Sequence, residues 1–169
     1  MEVQTEEVET LEASGEPKVP LEPYDLRSHF VQELLAREQS LRVLQPGRTP
    51  DYKRGILSGR IGRTGFSFKY VTLQNKTRVE LLIQTEDAKE QLHKLKQNRE
   101  AIEARFRGAL DWPEKAAIRQ CRVVHWVAGG YCSPRSEWPR IHDNLIDAMT
   151  RLEAALTTYL SDTPALSGR

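Results

Sequence analysis

Phosphodiester cleavage by a bound Mg²⁺ needs clustered carboxylates and, usually, a lysine beside the last of them to stabilise charge or orient water. The nearest arrangement in this chain pairs Pro50-Asp51 with Glu80-Leu81-Leu82, and the lysine position is filled by Leu82. Glu80 follows Arg78 at strand spacing and is expected on the solvent side of a hairpin, which argues against catalysis. Cys121, Cys132, His125 and His142 have the right count for a four-ligand zinc set, but no close cysteine pair nucleates one. Two cysteines so placed read as reduced and structural, forming neither a zinc site nor a disulfide. Gly55, Gly59, Gly62 and Gly65 suggest a phosphate loop, yet they lack a following lysine and serine or threonine and read better as turns. The expectation is no catalytic residue, no metal and no cofactor.

Basic residues are the stronger signal. Between Arg42 and Arg78 the chain carries Arg42, Arg48, Lys53, Arg54, Arg60, Arg63, Lys69, Lys76 and Arg78 against one acid, Asp51. Charge of one sign concentrated in this way is the electrostatic footprint of a nucleic-acid backbone site, and Arg48, Lys53, Arg54, Arg60 and Arg63 are the residues expected to carry it. An ordinary solvated face, or a partner for an acidic segment elsewhere in the chain, is the competing explanation. Tyr52, Phe66, Phe68 and Tyr70 lie among the charges, and aromatics at period two belong more often to a core than to a stacking platform.

The elements that must position these residues follow from apolar spacing. Phe66, Phe68 and Tyr70 alternate with Ser67 and Lys69, and Val79, Leu81 and Ile83 alternate with Arg78, Glu80 and Gln84. Period two on both sides of Gln74-Asn75-Lys76 predicts an antiparallel hairpin. From Ala88 the period lengthens through Leu92, Leu95, Ile102 and Phe106, which predicts one long amphipathic helix, interrupted in its stripe only by Arg99 and capped by Thr85 or Asp87 with Glu90 as a capping-box partner. Leu26, Phe30, Val31, Leu34, Leu35 and Leu41 predict an earlier helix. Cys121 to Val127, apolar on both faces, predicts a central strand. A last helix runs to about Leu160 with Trp138, Ile141, Leu145, Met149, Leu152, Leu156 and Tyr159 on a stripe that is either core or a dimer seam.

Ile102-Glu103-Ala104, Phe106, a glycine, Leu110 and Trp112, with Arg78-Val79-Glu80-Leu81 before and Arg119, Arg122 and Val123 after, resemble the signature of the bacterial and archaeal family known as domain of unknown function 4268. The resemblance runs from about Leu26 to Tyr159. It implies a module that often follows a nuclease-like domain through a linker, and it brings no catalytic residue. The family's glycine would fall at Arg107, whereas this chain has Gly108, so a left-handed helix cap does not carry over residue for residue.

At 169 residues and a net charge of +1 the chain has single-domain length. The near-neutral total hides an acidic start, where Glu2, Glu6, Glu7, Glu9, Glu12, Glu16, Glu22 and Asp25 face Lys18 alone. Residues 1–24 are expected to be a disordered acidic tail or linker, 25–160 a single α+β domain with an antiparallel sheet packed by long helices, and 161–169 a flexible end. There is neither a signal peptide nor a membrane span, so a cytoplasmic location is expected. Three function classes stay open: a non-enzymatic nucleic-acid-binding accessory module of a restriction or defence-like system, a protein-interaction or homodimerisation module, and a divergent Mg²⁺-dependent nuclease.

Overall fold

A computed structural model of the chain describes residues 23–41, 48–60, 63–113 and 119–161. Among these the order is helix α1 (Pro23–Leu41), strands β1 (Thr49–Asp51), β2 (Ile56–Arg60), β3 (Phe66–Thr72) and β4 (Lys76–Ile83), helices α2 (Ala88–Lys96) and α3 (Arg99–Phe106), strand β5 (Cys121–Ala128), a 3₁₀ turn (Arg135–Glu137) and helix α4 (Trp138–Ser161). The five strands form one antiparallel sheet in chain order. The fold is α+β, as the two periodicities require. Helix α1 begins two residues inside the expected tail, and the rest of that tail, with residues 162–169, lies outside the described residues.

Pairing of Phe66 with Ile83, Phe68 with Leu81 and Tyr70 with Val79 puts six large apolar side chains on one face. All six are buried in a single cluster with Phe30, Val31 and Leu34 of α1, Leu92 and Leu95 of α2, Ile102 and Phe106 of α3, and the α4 stripe. Trp138, Ile141, Leu145, Met149, Leu152 and Leu156 are each fully buried inside the monomer, so that stripe is core.

The single helix expected after Ala88 is two helices. Asn98 takes φ −108° and ψ 23°, and its N–H donates to Leu95 O at 2.9 Å, a tighter closure than the α-helix uses. Asparagine is poorly suited to a helix interior because its side chain competes for backbone groups, and here the Asn98 amide faces Lys94 O at 3.4 Å. The break turns Arg99 outward, where it pairs with Glu103 at 3.3 Å, and so removes the charge that interrupted the stripe. The expected capping box is absent too. Asp87 occupies the N-cap without a side-chain cap and accepts from Gln91 Nε2 at 2.9 Å instead.

The segment that resembles the family signature has a mechanical role. Arg107 adopts φ 65° and ψ 47°, the left-handed region, and is the one non-glycine with positive φ among the described residues. The cap therefore exists at the family's position although glycine stands one residue later. Glu103 Oε2 then accepts the Leu110 N–H and the Trp112 Nε1–H, both at 3.0 Å, folding the chain back along α3. Arg151 of α4 secures the turn by donating to Phe106 O at 2.7 Å and stacking on the Phe106 ring. Beyond it, Asp111 exchanges two backbone hydrogen bonds with Val124, adding a one-residue bridge to the outer edge of β5.

Candidate nucleic-acid interface

Alternation along the strands sends every second residue away from the helices. The register places Lys69 opposite Glu80, Val71 opposite Arg78, Glu80 opposite Val124, Leu82 opposite Arg122, and Arg78 opposite Trp126 on this second face. The buried side chains of all four helices belong to the core cluster on the other side. Val71, Leu82 and Val124 on the second face are buried, and exposure rises along the strands toward the β3–β4 turn, where Lys76 is exposed and Trp126 is 37% exposed.

Trp126 stands in a basic setting. Lys76 Nζ lies 4.2 Å from its ring centroid and the Arg78 guanidinium carbon 5.2 Å, both within cation–π range. Arg78 and Arg122 share one carboxylate. Arg78 Nε donates to Glu80 Oε1 at 2.7 Å, and Arg122 Nε stands 3.4 Å from Glu80 Oε2. Glu80 lies on the second face, as the strand pattern suggested, but at 2% exposed it does not face solvent. Two arginines offset its charge, Arg78 by a hydrogen bond and Arg122 by a looser ion pair, at the rim of a cleft of about 460 Å³ lined by Arg78, Arg122, Trp126, Asp111, Trp112, Pro113 and Val124. A buried carboxylate beside two half-buried arginines is an arrangement suited to holding phosphate or base oxygens.

The five residues singled out from sequence are dispersed by the fold. Arg48 is an interior group: its Nε donates to Glu38 at 2.7 Å and its Nη2 to Glu153 at 2.8 Å, with the Tyr70 ring beneath it, and its side chain is 4% exposed. Gly59 makes that possible, because a Cβ there would collide with the Arg48 guanidinium. Arg63 is structural as well. It stacks on Phe66 at 4.0 Å and donates to Leu160 O at 3.0 Å, tying the β2–β3 connection to the end of α4. Lys53 and Arg54 are exposed in the β1–β2 turn, Arg54 at 78%, at the same end of the sheet as Lys76. Arg60 closes β2 opposite Ser67, and its side chain lies outside the described residues.

The alternative chemistries are separated by the same topology. Asp51 on β1 and Glu80 on β4 are three strand spacings apart, about 14 Å at roughly 4.8 Å each, which is too far for one ion to bridge. Of the four zinc candidates, His142 is packed between Phe30 and Trp138, and His125 sits edge-on to Phe106. Cys121 is buried and Cys132 exposed. Among the described residues no three acidic, histidine or cysteine side chains converge as ion ligands. No helix of the described residues is long and apolar enough to cross a membrane.

Sequence reasoning missed Trp126, Arg122 and Asp111. Arg122 and Trp126 alternate with Val123 and His125, a visible period-two signal, but the apolar content of the strand hid it. No curated protein and no solved structure gives a significant match to the chain. A family model does match: residues 26–160 fit the family described as Domain of unknown function (DUF4268), which covers the sheet, the four helices and the Glu103 to Trp112 fold-back, and the chain belongs to that family.

Proposed function

We infer that this protein binds nucleic acid without cleaving it, through the second face of the sheet around β4 and β5. The observation that carries this reading is an exposed tryptophan on a sheet face with Lys76, Arg78 and Arg122 beside it, two of them paired with a buried carboxylate. Lys69 lies on the same face, and Lys53 and Arg54 extend the positive surface at its end. Lys69, Lys76, Arg78 and Arg122 on this face outnumber its acids, Glu80, Asp111 and Asp51, among the described residues. A strand-holding module of this kind suits service beside a nuclease-like domain in a restriction or defence-like system, the setting that the family resemblance implies.

Phosphate contacts release condensed counterions, so affinity falls with salt by about 0.9 log units per log unit for each contact on duplex DNA and about 0.7 on single strands. Titration of labelled duplex and single strands at two salt concentrations, with and without Mg²⁺, tests the reading. Binding at low salt with no cleavage is expected, and Lys69→Ala with Lys76→Ala should lower the slope by roughly two contacts. Absence of binding at low salt, with a concentration-dependent dimer in its place, sinks the reading, and Mg²⁺-dependent cleavage abolished by Glu80→Gln would replace it with the nuclease.

A further inference from the structure

We propose that the cleft beside Trp126 holds one unpaired nucleobase that carries an exocyclic amine, so that the ligand of this face is a single strand rather than a duplex. The proposal rests on nucleic acid being the ligand of the same face, and it adds what is read. An indole on a sheet cannot stack on a base that is already paired and stacked within a duplex, whereas an unpaired base offers a free π-face and gains from stacking whatever its identity. The cleft is open to solvent, and its volume of about 460 Å³ leaves room for one base. Lys76, on a flexible stem over the indole, is the group that the incoming base displaces, and its ammonium then meets the adjoining phosphate.

The edge of the base is read by a carboxylate. Asp111 is held rigidly against β5 by its two backbone bonds to Val124, at 2.8 and 2.9 Å, and its exposed side chain lines the cleft. A carboxylate is a poor neighbour for phosphate, which disfavours a purely electrostatic role for this corner, but it is the acceptor that an exocyclic amine requires, as on cytosine or adenine. Thymine offers instead one imide N–H flanked by carbonyl oxygens that repel the second carboxylate oxygen. Arg78 and Arg122, paired with Glu80, supply donors to base and phosphate oxygens from the opposite wall.

Short labelled oligonucleotides of equal length test this: oligo-dC, oligo-dT and a strand with abasic positions, each titrated by retardation and by tryptophan fluorescence. Trp138 is buried in the core but Trp112 also lines the cleft, so the part of the quenching that Trp126→Ala removes is what reports Trp126. Oligo-dC should bind about tenfold or more tighter than the abasic strand, with quenching, and Trp126→Ala should remove that advantage while keeping the salt slope. Asp111→Asn should narrow the gap between oligo-dC and oligo-dT. Equal binding of abasic and base-bearing strands, without quenching, overturns the base pocket while leaving phosphate binding in place. Retention of none of the strands overturns the nucleic-acid reading itself. A preference for oligo-dT that Asp111→Asn leaves unchanged overturns the role of Asp111.

Discussion

His142 shows how a single buried residue sets the pH response of this fold. Its ring packs 4.4 Å from the Phe30 centroid and its Nε2 finds no hydrogen-bond partner, so burial, with Arg37 nearby, lowers its pKa to about 4. The unfolded chain therefore binds this proton at a higher pH than the folded one. The stabilisation is complete above about 6.5 and is lost as pH falls from 6.5 toward 4, by about 3 kcal/mol in all. His125, also lowered by burial, acts in the same direction. Urea unfolding at pH 7 and pH 4.5 should show the loss, and His142→Phe should flatten it; an unchanged pH slope in that variant would mean that other groups set the response. Glu103 is the second residue of this kind. Burial opposes its charge, yet hydrogen bonds from Trp112, Leu110 and Arg99 hold its pKa below the ordinary carboxylate value. Glu103→Ala leaves the Trp112 and Leu110 donors without it, and a loss of about 1–3 kcal/mol is expected in chemical denaturation.

At the scale of elements, α3 packs on α4, which lies on the sheet, and the Arg48 network ties α1 and α4 to β3. Ile102 and Phe106 are fully buried, and replacing either with alanine should cost about 2–5 kcal/mol with the cavity included. Arg48 joins α1, α4 and β3 through Glu38, Glu153 and the Tyr70 hydroxyl, which itself donates to Glu38 at 2.8 Å. Arg48→Ala removes a buried charge partner and should lose about 3–5 kcal/mol, a larger effect than Arg54→Ala, whose side chain is exposed. Equal melting temperatures for the two variants would contradict the assignment of Arg48 to the interior. The same comparison explains what the sequence could convey. Hairpin and terminal helix were legible because period two and period 3.6 record which face is buried, whereas the strand from Cys121, expected to be central because it is apolar on both faces, is the last strand of the sheet, and among the described residues only Asp111 bridges its outer side. The break at Asn98 was not, since it lies in one residue's competition for backbone groups. Nor was the sorting of arginines: Arg48 and Arg54 look alike in a charge run, and only tertiary structure brings Glu38 and Glu153 to the first.

The described residues form a sheet with one face spent on its core and the other bearing the Trp126 cleft. Gly130 helps keep the Lys76 end of the sheet in shape, because a Cβ there would strike Leu73 O, and the loop it begins donates from Tyr131 and Cys132 to the β3–β4 turn that precedes Lys76. The α4 stripe is consumed internally, which removes the seam on which a dimer would rest, and the separation of Asp51 from Glu80 removes a shared ion. Binding by the β4–β5 face is thus the central claim, and it is local enough to map. Amide and indole chemical shifts recorded during addition of a short single strand at low salt test it most directly. The largest changes should fall on the Trp126 indole and on residues 76–80, 111 and 122–126, while Trp138 and the core stripe of α4 stay still. Shifts confined to the helical layer, or none at all, would contradict it.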